Sequence, residues 1–439
     1  MSPTTQTAAT QTAATQEEST TTHEESTTAH PPTHEEFTAS TTSPAIATPT
    51  AVGPSANHIS GKRGRSKAGQ KTRRKSKQRK SERKSECESK KEINRRKKKE
   101  SEAFICNLPI DVDTNHRAFP LSDHTNWLKH LKDEGFVVVQ LLDARRTGDL
   151  VEQLYGDLGR IGTGITRNNT SSHQNANWPG IFSVGVFKDN TSGLAHSRFA
   201  WECRAAARPV FQHIWGTDEL ITAFDGVGLF RDWGKRELKT SKTKRLWPHV
   251  DQGNNIGSHF HCIQGFINLL PADEYTGGFV VARRSHLHHA ELMQKQTKNS
   301  ANYLPMDFSS PQIQAFMHKF PLEFVHATAG SIVLWDSRLV HSNTHAAKNK
   351  PRAPDPRTPN LLRAVAYVTL MPKSRQTNKD HDMRQRMFAE GAQTNHWSTD
   401  DGMRKVHMAY PRHRSFKTMR SAALTPTQIQ NVPQYRALI

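Results

Sequence analysis

The sequence predicts a mainly β fold with helices (α+β): a double-stranded β-helix, or jelly-roll barrel, with N-terminal and C-terminal helical additions behind a disordered tail. Three observations predict it. From Phe136 to Val368 the chain reads as many short apolar runs separated by loops and turn residues. Helical periodicity is concentrated in front of those runs. Hydrophobic content is only 34 %, and the deficit lies at the N-terminus, so the foldable part is shorter than the 439-residue chain.

The N-terminal third divides by charge. Residues 1–61 hold no Lys or Arg and six Glu, in a background of Thr, Ala, Ser and Pro. They cannot bury enough apolar surface to offset chain entropy and read as disordered. Residues 62–99 hold 20 Lys or Arg against four Glu, a net of +16. With −6 on the tail, that leaves +10 of the chain's +20 for the remaining residues, so the pI of 9.9 mostly describes one arm. The arm, taken as 62–102, is either a solvated tail or a polyanion contact, as a nuclear-targeting signal or a sequence-blind grip on nucleic-acid phosphates. It carries no aromatic residue, which argues against base stacking. The domain reading is therefore a tail at 1–61, an arm at 62–102, a barrel domain at 103–372 and a polar, partly helical extension at 373–439.

Four cysteines (Cys87, Cys106, Cys203, Cys262) are spread without a CxxC pair. That argues against a disulfide framework and for a reducing, intracellular compartment. No apolar run approaches the roughly 20 residues of a membrane span. The polar N-terminus argues against a secretory signal.

The elements follow in order. Trp127 to Glu134 has an apolar helical face, and Gly135 ends the helix. Phe136 to Leu142 reads as a buried strand. Asp143 can cap a helix carrying Leu150, Val151, Leu154 and Leu158. Residues 159–200 read as long loops around short strands, Ala200–Trp215 as a helix, Phe224–Phe230 as a strand, and Arg231–Lys244 as a charged loop. Strands follow at His249, His261–Leu270, Phe279–Ala282, Leu322–His326, Ser331–Trp335 and Leu361–Val368, with helix and loop over 289–318 and a basic, Pro-rich loop from Lys348 to Pro359. Helices are expected near His381–Glu390 and Thr425–Val432.

The chain is organised around His249-Val250-Asp251. Residues i and i+2 of a strand point the same way, so an imidazole and a carboxylate converge there. That is two thirds of a facial N,N,O site for non-haem Fe(II). The third ligand must be a distant His. His341 is the best candidate, expected where the apolar run Ser331–Trp335 leads out into a turn.

From Trp127 to about Met371, somewhat over half the chain, the sequence resembles the phytanoyl-CoA dioxygenase family of Fe(II)/2-oxoglutarate oxygenases. The matched features are the helix–Gly–strand opening, His249-x-Asp251, Gly277-Gly278-Phe279-Val280-Val281 leading to Ser285-His286, then His341 and Arg363. The resemblance implies a dioxygenase that binds Fe(II) through His249, Asp251 and His341. It further implies 2-oxoglutarate and O2 as cosubstrates, with ascorbate as a supporting reductant, and succinate and CO2 as products. Asp251 favours hydroxylation, because halogenating relatives lack this carboxylate. Arg363 is expected to bind the distal carboxylate of 2-oxoglutarate through its planar fork. Asn343 takes the place of a hydroxyl that also touches the cosubstrate, and Phe266 that of a wall Trp. The sequence departs from the family at Arg283-Arg284, where Pro-Gly is usual, and in the Lys348–Pro359 insertion, which leaves Arg352 and Arg357 as rival cations.

Blander readings stand beside these. With 24 His in the chain, His259, His261, His286, His288 and His289 are read as satisfied or surface residues. His259-Phe260-His261-Cys262 lacks the second pair a closed zinc site needs. Trp201, Trp215 and Trp335 read as core. The rival from another class is a catalytically inactive jelly-roll scaffold with a nucleic-acid-binding or nuclear-targeting arm. The substrate, a small molecule or acyl compound on the leading reading, depends on loops 159–200 and 231–246.

Overall fold

Alternation along the strands decides what lies inside. On the strand 136–140, Phe136 and Val138 join one buried cluster while Val137 and Val139 join another. The same split recurs at 332–335 and at 364–368, as period-2 geometry requires when both faces of a sheet are covered. The computed structural model describes residues 67–439 apart from 113–115, 175–176, 179–185, 188–191, 232–245, 297, 301, 345–360, 400–401 and 406–420, with backbone alone at 67–79, 81–85 and 186–187. The tail 1–61, the loop from Lys348 to Pro359 with Arg352 and Arg357, and nearly all of the loop after Arg231 fall outside those residues.

The chain divides into two units, Met1–Arg73 and Arg74–Ile439; of the first, only the backbone from Lys67 is described. The elements in chain order are α1 (Lys67–Cys106), β1 (Ile110–Asp111), β2 (Phe119–Pro120), α2 (His124–Glu134), β3 (Phe136–Gln140), α3 (Ala144–Arg160), β4 (Val186–Phe187), α4 (Arg198–Trp215), β5 (Leu220–Thr222), β6 (Val227–Arg231), β7 (His249–Val250) and β8 (Ile263–Asn268). There follow β9 (Gly278–Ala282), α5 (His289–Lys295), β10 (Leu304–Pro305), α6 (Pro311–Lys319), β11 (Leu322–Val325), β12 (Ser331–Asp336), β13 (His341–Thr344), β14 (Leu361–Val368), β15 (Leu370–Pro372), α7 (Asn378–Ala389), α8 (Pro426–Gln430) and α9 (Pro433–Arg436).

One sheet runs β1-β11-β9-β13-β7-β10 and the other β2-β3-β12-β8-β14-β6-β4, with β15 and β5 paired separately. Strands β6, β8, β12 and β14 lie in one sheet and β7, β9, β11 and β13 in the other, each set of four antiparallel, so the chain crosses repeatedly between the two sheets; only β1–β11 and β2–β3 pair parallel among the described residues. That is a jelly roll. The interior is lined by Phe136, Phe266, Phe279, Val333, Trp335 and Tyr367. Helices α3 and α4 cover the outer face of the larger sheet, and α5 and α6 that of the smaller.

The predicted signals at the front of the domain hold. Gly135 caps α2 in the left-handed conformation at φ 86°, and a Cβ there would lie 2.5 Å from the His286 ring. Asp143 caps α3 by accepting from the Arg146 N–H. Two features differ from expectation. The basic arm is not merely a polar run: its described part lies in α1, a helix of 40 residues whose Phe104 and Ile105 pack against the outer cluster of the smaller sheet. And His341 does not sit at the end of the 331–336 strand; it opens the next one, β13, after the turn Ser337–Val340.

Candidate metal centre

His249 and His341 face each other directly across the antiparallel pair β7–β13, and their ring centroids are 4.2 Å apart. Asp251 lies just past β7, where its backbone N–H is held by the Ser337 carbonyl at 3.0 Å. Its carboxylate lies 3.7 Å from His249 Nε2 and 3.3 Å from His341 Nε2. One donor atom from each of the three buried residues lies within 4.8 Å of the other two. No other such group of His, Cys, Asp and Glu occurs among the described residues, so His259, His261 and Cys262 form no second metal cluster there.

The hydrogen bonds prepare both imidazoles. His249 Nδ1 meets the Trp247 carbonyl at 2.8 Å, and His341 Nδ1 the Leu339 carbonyl at 3.0 Å. A carbonyl only accepts, so Nδ1 carries a proton in each ring and Nε2 is the nitrogen that faces Asp251. Burial lowers the His249 pKa to about 3, and the neighbouring His341 acts in the same direction. Burial would raise the Asp251 carboxyl, but His249 and His341 beside it hold it well below the usual carboxylate range. Asp251 Oδ2 is buried without a well-formed hydrogen bond. Two imidazoles and one ionised carboxylate, with a donor atom of each within 4.8 Å of the other two, suit a divalent ion such as Fe(II).

The loops beside these three residues are tied down. Gln252 accepts from Ser337 Oγ at 2.8 Å and donates to the carbonyls of Gly257 and His259. Arg338 forks onto Asp336 and reaches the Ser258 carbonyl. Phe279 and Trp335 each lie 5.3 Å from the His341 ring, and Tyr303 lies 4.7 Å from His249. Trp335, read from sequence as plain core, is thus a wall of the site.

Arg363 enters the same interior from β14. It is 2 % exposed, its guanidinium stacks 3.7 Å from the Phe230 centroid, and Nη2 donates to Asn343 Oδ1 at 2.7 Å. A hydrogen bond also links Asn343 to the Tyr367 hydroxyl. Among the described residues Arg363 forms no ion pair, and its Nε has no acceptor. Burial lowers its pKa to about 10, which leaves it a cation at neutral pH. Phe266 packs 5.5 Å from Phe279 and 5.6 Å from Trp335, the two rings beside His341, and 6.0 Å from Tyr367. The predicted residues His249, Asp251, His341, Phe266, Asn343 and Arg363 therefore share one interior.

Other contributors were not predicted. Trp397, from the C-terminal extension, donates to the Asp251 backbone carbonyl at 3.1 Å. His396, paired with Asp225, lies 5.3 Å from the Tyr367 ring. Neither has a local sequence signal. Gln264 and Asn268 are buried on the inward side of β8, and their amides find no partner among the described residues. Their alternation with Phe266 was the available sign.

No family model matches the sequence. Ava biosynthesis cluster protein O of Aspergillus versicolor is 25 % identical over 283 residues, which span 62 % of this chain and 83 % of that protein. Among solved structures, the non-haem alpha-ketoglutarate-dependent carbocyclase SnoK from nogalamycin biosynthesis is 10 % identical with a TM-score of 0.39, over 66 % of this chain and 99 % of that one. EctD from S. alaskensis, solved with 2-oxoglutarate and 5-hydroxyectoine, is 13 % identical with a TM-score of 0.37, over 62 % and 85 %. The epimerase SnoN, solved with Fe3+, alpha-ketoglutarate and nogalamycin RO, is 14 % identical with a TM-score of 0.35, over 57 % and 84 %. At these identities and scores, function is argued from the side chains above.

Proposed function

We propose that the chain is an Fe(II)- and 2-oxoglutarate-dependent dioxygenase of the phytanoyl-CoA dioxygenase type, which uses O2 to hydroxylate a small-molecule or acyl substrate and releases succinate and CO2. The observation that carries this reading is the pairing of two features in one barrel. At one end three buried donors converge; further in lies a buried arginine without an acidic partner among the described residues. A buried, unpaired cation is costly unless an anion joins it. A keto-diacid has a chelating end for the metal and a distal carboxylate for the guanidinium.

His249, Asp251 and His341 would hold Fe(II), which supplies the oxidising chemistry when bound with its cosubstrates. Three protein donors would leave such an ion able to take up 2-oxoglutarate and O2. Phe266, Phe279 and Trp335 provide apolar walls that exclude water, and Arg363 and Asn343 orient the diacid. The resemblance to a biosynthesis-cluster protein supports a small-molecule substrate. Ascorbate would serve only to keep iron ferrous.

The test is succinate release from 2-oxoglutarate with Fe(II), O2 and ascorbate, for the wild type and His249→Ala. The proposal expects succinate from the first and at most a trace from the second. Equal release, or none from the wild type in the presence of candidate substrates, would favour the inactive scaffold. The basic arm carries a separable proposal of polyanion contact: Lys90, Lys91 and Arg95 to Lys99 are exposed along α1. Binding to nucleic acid that weakens with salt and is lost on deletion of 62–99 would support it.

A further inference from the structure

The inner face of β8 presents three side chains in alternation, Gln264, Phe266 and Asn268. Ile263 and Ile267 point the other way, into the cluster beneath the helices. Both amides are fully buried, and neither the oxygen nor the nitrogen of either has a partner among the described residues. Two inward amides left unpaired in one strand cost far more than apolar residues of similar size would. Such groups persist where a ligand completes them.

Their positions differ. Gln264 is in register with Trp335, whose ring lies beside His341, so it belongs to the metal end. Asn268 is in register with Val365 on β14, and Arg363 is the next inward residue of that strand. Diagonal neighbours of this kind lie roughly 7–8 Å apart, their Cβ atoms somewhat less. A carboxylate accepting a hydrogen bond of about 3 Å on each side spans that gap. The chemistry matches: Arg363 Nε and Asn268 Nδ2 are unpaired donors, and a carboxylate is an acceptor only.

We propose that Asn268 is a second anchor for the distal carboxylate of the diacid, acting with Arg363. This rests on the proposed function and adds to it a residue that sets selectivity for a diacid over a monoacid. Arg363 supplies charge and one set of donors from β14. Asn268 supplies a neutral donor from the adjacent strand, so the carboxylate is gripped from two sides.

The experiment measures binding of 2-oxoglutarate and of 2-oxobutyrate, which lacks the distal carboxylate, to the full-length Fe(II)-loaded protein without oxygen, by calorimetry. Asn268→Leu is expected to weaken 2-oxoglutarate about tenfold or more and to leave 2-oxobutyrate within about twofold. Asn268→Asp keeps the shape and is expected to weaken the diacid further by placing like charges together. Gln264→Leu, which removes the same chemistry from the metal end, should leave the ratio of the two affinities unchanged. A wild-type ratio retained in both Asn268 variants would overturn this assignment while leaving the proposed function intact. A wild type that binds neither acid would defeat both.

Discussion

The indole N–H of Trp397 donates to the backbone carbonyl of Asp251 at 3.1 Å, which joins the C-terminal extension to a residue of the candidate metal centre. Trp397 is 1 % exposed, so the bond is shielded from water. The extension therefore forms part of the site rather than an appendage to it.

Replacing that donor should loosen Asp251. Trp397→Phe keeps most of the packing and strands a buried carbonyl, a loss of about 1–3 kcal/mol. We expect Fe(II) affinity to fall about tenfold, as for outer partners of metal ligands in general. Metal titration by calorimetry checks this, and unchanged affinity would show that the bond serves stability alone.

Arg363 gives an unusual pairing of effects. Without an acidic partner among the described residues, its removal leaves no orphaned counter-charge. Arg363→Met should lower 2-oxoglutarate affinity by roughly a hundredfold or more while leaving the melting temperature of the ligand-free protein equal or higher. A large fall in melting temperature would mean that the arginine is structural.

Glu134 ties α2 to the turn after β9. Its carboxylate accepts from Arg283 and, at 2.8 and 2.9 Å, from Nη2 and Nε of Arg284. Burial would raise its pKa, but the two arginines hold it down at about 2. A carboxyl depressed in the folded state stabilises above its unfolded value. That stability is lost as pH falls from about 4.3 towards about 2. Glu134→Gln should cost about 1–2 kcal/mol at neutral pH, discounted because both arginines are partly exposed, and should flatten the acid limb of a denaturation series. An unchanged limb would assign acid sensitivity elsewhere.

Arg284 has φ 65°, the sole positive φ outside glycine among the described residues. Glycine adopts that left-handed backbone without penalty, whereas a side chain with a Cβ does not. Left-handed backbone costs a non-glycine residue about 1–2 kcal/mol. Arg284→Gly should therefore be more stable than Arg284→Ala by about 1 kcal/mol, as read by chemical denaturation, since both lose the ion pair and only the first relieves the backbone. Equal stabilities would remove the strain argument.

Local chemistry explains what the sequence disclosed. The caps at Asp143 and Gly135, the alternation in β3 and the His249-x-Asp251 spacing act over a few residues, so they could be read directly. His341 could be read only as the best candidate among distant histidines, and Arg363 only with the resemblance, because their meeting depends on the register of β13 against β7 and on the inward phase of β14. Trp397, His396 and Asp225 come together over long separations and have no periodic signal. The helix α1 was missed because its lysines and arginines read as charge, although both are good helix formers. Gln264 and Asn268 were overlooked because polar residues in an apolar run read as interruptions rather than as inward-facing groups.

Metal titration of the wild type and of the three ligand variants, without oxygen, puts the triad to the test. One Fe(II) per chain should bind the wild type. His249→Ala, His341→Ala and Asp251→Ala should each lose that site while keeping the wild-type fold by circular dichroism. Equal binding by all four proteins would contradict the account.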